Sequence, residues 1–117
     1  MKVRNLLAKG IVLGATVATL TVLATSRVWA DDAAKGIYDD KCAGCHGPSG
    51  KGDGPAGQAL TPHPPDFSTS LKGKDDAYLA KIIKDGGEAV KKSASMPASS
   101  DLTDDQVKSL VAYIKSL

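Results

Sequence analysis

Cys42-Ala43-Gly44-Cys45-His46 is the stretch of this 117-residue chain that decides the rest of it. Two cysteines separated by two residues and followed at once by histidine form the attachment pattern for c-type haem. Each thiol adds to one vinyl group of the porphyrin, and the two-residue gap places both sulfurs under neighbouring vinyls. His46 is then turned toward the iron as the proximal ligand. Two other chemistries use paired cysteines. A thioredoxin-like redox pair needs a βαβ surround, and the sequence shows none. Structural zinc normally takes four Cys or His ligands. Beyond residue 30 the chain offers only Cys42, Cys45, His46 and His63, and adjacent Cys45 and His46 are badly placed to share one tetrahedral ion.

Upstream, residues 1–30 read as a cleaved secretory signal peptide rather than as part of the fold. Lys2 and Arg4 make a basic start, with Lys9 a second positive step, and Ile11–Ala24 is an apolar run. Val28-Trp29-Ala30 supplies small residues at the last and third-last positions of a cleavage site. The apolar run is fourteen residues with three threonines, whereas a spanning helix wants roughly 20. Cleavage after Ala30 leaves a single domain over 31–117, 87 of the 117 residues. No membrane insertion is expected of that domain.

Removing the leader reverses the charge. The full chain carries 15 basic and 13 acidic residues, a net charge of +2. Lys2, Arg4, Lys9 and Arg27 leave with the leader, so eleven lysines face thirteen acids and the domain becomes −2. Nucleic-acid binding is not indicated. Trp29 also goes, and Met96 becomes the only methionine. Aromatic residues are few: Tyr38, Phe67, Tyr78 and Tyr113. A chain this small buries little apolar surface by itself, and a haem would act as the missing centre of its core.

The domain reads as all-α, with three main helices and proline- and glycine-rich loops wrapped around one covalently bound haem. The first helix is expected from about Ala33 to the Cys42 region, with Asp31-Asp32 at its N-terminus. Gly36 within it suits close approach of another helix. Six glycines or prolines fall from Gly47 to Pro55, and Pro62, Pro64 and Pro65 follow. They rule out a regular helix over Gly47–Leu71. The second helix is expected over Asp75–Lys84, with Leu79, Ile82 and Ile83 on one face and Gly86-Gly87 as its stop. The third has the clearest start. Thr103 and Gln106 form a capping box, and Leu102 and Val107 stand at hydrophobic-staple positions. Val107, Leu110, Val111, Ile114 and Leu117 then recur at helical spacing as core.

Met96 is the candidate distal iron ligand. It lies in an irregular segment, Ser93-Ala94-Ser95-Met96-Pro97, and Pro97 biases it toward extended backbone. His/Met ligation recurs among haem proteins. Without the haem motif, Met96 would read as a gap-filling core residue. His63, in Thr61-Pro62-His63-Pro64-Pro65, is the rival ligand and otherwise a surface residue. The free ring N–H of His46 is expected to donate to a carbonyl, for which Gly54-Pro55 or Pro62 are the candidates.

With these residues in view, the chain resembles class I monohaem cytochrome c of the small bacterial periplasmic kind. It is also similar to the c-type domains of bacterial terminal oxidases. Cys42-Ala43-Gly44-Cys45-His46-Gly47 and Met96-Pro97 carry the specific part of the likeness. Gly36-Ile37-Tyr38, Gly52-Asp53-Gly54-Pro55, Pro64-Pro65-Asp66-Phe67, Ile82-Ile83-Lys84-Asp85-Gly86-Gly87 and Leu110-Val111-Ala112-Tyr113-Ile114 support it. The segment 61–65 departs from the family pattern. The resemblance implies haem c with thioethers at Cys42 and Cys45, His46 proximal and Met96 distal. It also implies that the first and last helices cross, with Gly36 meeting the Tyr113 end. Export agrees, because the resemblance implies haem attachment outside the cytoplasm.

The function expected is a periplasmic one-electron carrier between a redox-protein donor and acceptor, monomeric and not an enzyme. Two ligands on the iron leave no place for a substrate. The alternatives are a haem subunit of a larger respiratory enzyme complex, or a haem-based gas sensor whose Fe–Met96 bond opens. Lys72, Lys74, Lys81, Lys84, Lys91 and Lys92 cluster in the second half. Interspersed Asp75, Asp76, Asp85 and Glu88 weaken any steering field and favour an ordinary solvated face.

Overall fold

The last helix shows most directly how the sequence makes structure. Thr103 Oγ1 accepts from the backbone N–H of Gln106 at 3.2 Å, and Gln106 Oε1 accepts from that of Thr103 at 2.8 Å. Both halves of the capping box are therefore made, and the helix Asp104–Ile114 starts behind it. Leu102 and Val107 are buried on either side of the cap, which fixes the angle at which the chain enters the helix. Thr103→Ala removes one half of this device. It is expected to cost about 1 kcal/mol and to lower the thermal midpoint by about 4–8 °C per kcal/mol for a domain of this size. A midpoint unchanged within error would show that the cap contributes nothing.

The computed structural model describes the backbone of residues 21–117 and the side chains from Ala30 onward. Lys2, Arg4, Lys9 and the apolar run up to Leu20 lie outside the described residues. In chain order the helices are α1 (Thr21–Lys41), α2 (Ala43–His46), α3 (Pro55–Gln58), α4 (Phe67–Ser70), α5 (Asp76–Asp85) and α6 (Asp104–Ile114), with a 3₁₀ turn at Glu88–Val90 between the last two. The described residues contain no strand. No described helix is long and apolar enough to cross a membrane.

Three of these helices are long, as the periodicity indicates, and they pack together: α1 against α6, and α5 against α6. The core between them is Ala34, Tyr38, Leu79, Ile83, Leu102, Val107, Leu110, Val111 and Ile114. Helix α5 begins at an Asp75 cap, whose side chain accepts from the N–H of Tyr78 at 2.7 Å. It stops at Gly86, whose φ of 86° a side chain would resist.

Four expectations are corrected. Helix α1 starts well before Ala33, because no glycine or proline interrupts Thr21–Asp32. Asp31-Asp32 would lie at a helix terminus only after cleavage. Gly36 is exposed, and a Cβ added there meets nothing within 4 Å. The crossing of α1 and α6 is made instead by Ala34 and Tyr38, and the Tyr38 ring lies 5.3 Å from that of Tyr113. Leu117 is 39% exposed, because α6 ends at Ile114 and its stripe ends with it. Finally, the segment 47–71 holds two single helical turns, α3 and α4. Pro55 is at the first position of α3, where a missing N–H costs nothing. An Asp66 side chain accepting from Ser68 N–H caps α4.

Candidate functional site

Helix α1 runs into the Cys42 region. Cys42 N–H bonds to Tyr38 O at 2.8 Å, which continues α1, but the backbone of Cys42 departs from it at φ −118°. The single turn α2 follows, closed by His46 N–H to Cys42 O at 2.9 Å and Gly47 N–H to Ala43 O at 2.8 Å. Cys42, Cys45 and His46 thus leave one short stretch of helix. Both thiols are free and half-buried. Burial pushes the Cys42 thiol above its ordinary range, with Lys41 pulling the other way.

His46 is half-buried, and burial pulls its imidazole below the usual range. The ring is therefore neutral near pH 7, with a lone pair free to bind a metal. Its Nδ1 is buried and has no hydrogen-bond partner among the described residues. The expected carbonyl acceptor from Gly54-Pro55 or Pro62 is not found. The loop instead packs onto the backbone of α2. A Cβ at Gly54 would sit 2.4 Å from Gly44 O and 2.6 Å from Ala43 O, and one at Gly57 would sit 2.2 Å from Cys45 O. The Phe67 ring lies against that of His46, at a centroid distance of 4.8 Å and 32° between planes.

The Gly57 contact leads to a prediction. Cys45 O is backbone in a hydrogen-bonded turn and cannot swing aside. Gly57→Ala is expected to destabilise the domain by about 1–3 kcal/mol, as overpacking does. Urea midpoints of the two proteins would measure it, and a difference under about 0.5 kcal/mol, the scatter of surface changes, would show that the loop yields freely.

His63 is exposed, and its Nδ1–H donates to Gly57 O at 3.2 Å. It ties down the same loop at the residue that abuts Cys45. Met96 lies in the segment between α5 and α6, half-buried. Its carbonyl accepts from Gly87 N–H at 3.0 Å, and Ser99 N–H reaches Ile83 O at 2.9 Å. A Cβ at Gly87 would stand 2.2 Å from Ser93 O and 3.2 Å from Met96 Cβ. The Gly86-Gly87 pair therefore both stops α5 and seats the methionine segment. Spacing alone had shown only the first role. In the sequence Phe67 stands out only as one of few aromatics and within Pro64-Pro65-Asp66-Phe67, and its contact with His46 is not legible there, since one aromatic in a loop carries no periodic signal.

Of the six clustered lysines, Lys81 pairs with Asp85 at 2.9 Å and Lys84 with Asp104 at 2.7 Å. Lys84 also donates to Leu102 O at 2.9 Å, and Lys74 lies 4.9 Å over the Tyr78 ring. These pairings suit a solvated face of mixed charge.

A helical chain that presents two thiols and a neutral imidazole from one turn is built as a c-type haem protein. Residues 32–117 match the Cytochrome c family, and the chain belongs to that family. Over 84 residues it is 36% identical to the cbb3-type cytochrome c oxidase subunit CcoP of Azospirillum brasilense, covering 71% of this chain and 27% of that protein. Over 85 residues it is 37% identical to the same-named subunit of Azospirillum sp. (strain B510), again covering 71% and 27%. The chain thus matches about a quarter of the length of these relatives. No solved structure matches it. As a cytochrome c, the protein takes covalently attached haem c as its cofactor and is an electron-transfer module. The residues present fit that group: two free thiols in the required spacing, and a half-buried imidazole on the same turn of helix.

Proposed function

We propose that this chain is a periplasmic monohaem cytochrome c that carries one electron at a time between two redox proteins. Cys42 and Cys45 would hold the haem, and His46 and Met96 would supply the two protein ligands to its iron. The observation that carries this reading is the seat of Met96. The thioether leaves a segment pinned to the end of α5 through Gly87 N–H and Ser99 N–H, and Pro97 stiffens its backbone. When bound, the iron supplies one-electron exchange, and a sulfur ligand favours Fe(II). The residues around the site do the rest. Phe67 and the Gly54–Gly57 loop cover the α2 side, and Met96 would fill the remaining ligand position. Filling it argues for electron transfer over catalysis. Residues 1–30 are proposed as the leader that takes the chain to the periplasm, cut after Ala30.

A second reading, a haem subunit of a respiratory complex, is favoured by the two oxidase subunits among the relatives. Size-exclusion chromatography of the loaded protein from its own cells separates the two. Elution as a single chain supports the carrier, and co-elution with a large partner supports the subunit. Rapid carbon monoxide binding to the ferrous protein at neutral pH would point instead to a gas sensor. The paired lysines add an expectation for the carrier. Its electron-transfer rate should stay nearly flat between about 0.01 and 0.1 M salt, where the Debye length falls from about 30 to about 10 Å. A steep fall in stopped-flow rates would reveal a steering patch instead.

A further inference from the structure

A ligating histidine usually takes its orientation from a hydrogen bond at its second ring nitrogen. His46 Nδ1 has no such partner among the described residues, which gives packing against the ring a part in setting its rotation. The ring that packs on it is Phe67. Phe67 N–H donates to Gly50 O at 2.8 Å. A Cβ at Gly50 would lie 2.4 Å from the Phe67 ring, so the ring rests directly on that turn. The turn is closed by Gly50 N–H donating to Gly47 O at 3.2 Å. The same Gly47 carbonyl accepts the hydroxyl of Tyr38 at 2.6 Å.

Tyr38 begins this series of contacts and is 0% exposed. A site that needed only volume would hold phenylalanine, because a buried hydroxyl is costly unless it is hydrogen-bonded. Tyr113 lies against the Tyr38 ring from α6 and limits where the hydroxyl can point. Burial pushes the phenol up to about 12, so it remains a donor well above neutral pH.

We infer that Tyr38 is a positioning residue for the axial histidine: its hydroxyl holds the Gly47–Gly50 turn, the turn holds Phe67, and Phe67 holds the rotation of the His46 ring. The inference rests on His46 being an iron ligand, as proposed above. The Tyr38 hydroxyl is bonded to the Gly47 carbonyl, and its role is exerted through this series.

The test is the pattern of haem-methyl proton shifts in the ferric, haem-loaded protein, which follows the orientation of the axial ligand plane. It would be recorded for the parent, Tyr38→Phe, Phe67→Leu, the double variant, and Leu110→Val as a core control. Tyr38→Phe keeps the ring and loses one oxygen. The expected result is that Tyr38→Phe and Phe67→Leu both change the pattern and that the double variant matches Phe67→Leu alone. Leu110→Val should lower thermal stability and leave the pattern unchanged. A parent-like pattern in Tyr38→Phe, with only a lower thermal midpoint, would overturn the positioning role while leaving His46 as ligand. A ferric parent that shows no low-spin, histidine-ligated spectrum would sink the ligand assignment and the inference together.

Discussion

Chain produced without attached haem, for instance as Cys42→Ser/Cys45→Ser, is expected to lose the cooperative thermal transition of the loaded protein. The reason lies in what the site segments bury. Between Ala43 and Tyr78 the buried residues are Gly47, Gly50, Gly52, Gly54 and Gly57, and between Lys84 and Asp101 they are Gly86 and Gly87. Glycine brings no side chain to a core. Every buried apolar side chain among the described residues lies on α1, α5 or α6, or at Leu102 beside the α6 cap. The loops around the site are thus held mainly by backbone hydrogen bonds and close contact with α2, and the partly buried Phe67, Leu71 and Met96 offset only a small part of their ordering entropy. Domains of only about 70–80 residues rarely draw more than about 3–5 kcal/mol from a single core, and the proposed domain spans 87. Haem is a large apolar body against which both loops can close. Its loss should remove most or all of a margin of about 5 kcal/mol or more. Circular dichroism during heating checks this, and a sharp transition in the haem-free chain would show that the three long helices suffice.

Met96→Ala has the second large effect, and it is functional. If Met96 is the distal ligand, the weak far-red absorption of the sulfur-ligated ferric protein disappears in the variant. The midpoint potential should fall by on the order of tenths of a volt, a sizeable share of the about 0.8 V over which axial ligands tune haem. Stability should change less, because Met96 is only half-buried and its segment remains tied by Gly87 N–H and Ser99 N–H. An unchanged spectrum in the variant would remove Met96 from the iron. His63 would then be examined by the same substitution, although its tie to Gly57 O makes it a loop fastener in this structure.

The three long helices were legible because each carries a local signal that needs no partner. Helix α6 has a capping box and a staple, α5 has an apolar face and a double-glycine stop, and α1 leads into the haem motif, although its start is expected near Ala33 and lies at Thr21. The site was partly legible for the same reason. The spacing Cys42-x-x-Cys45-His46 is local, so one turn of helix presents all three side chains. Where reading failed, the missing information was long-range. Nothing in Gly36-Ile37-Tyr38 says that the glycine faces solvent and the tyrosine carries the crossing. No periodicity shows that α6 ends three residues before Leu117.

The sequence by itself determined the helical class, the haem chemistry and the only thioether beyond residue 30, because these depend on residue types at short fixed spacings. The tertiary structure alone decided how the site is held. Gly57 abuts Cys45 O, Gly87 seats Met96, Phe67 rests on His46, and Tyr38 reaches the Gly47 carbonyl. Those contacts join residues from nine to more than twenty positions apart. They exist only once α1 and α6 have packed and the loops have closed, since chain entropy opposes each of them until the others form.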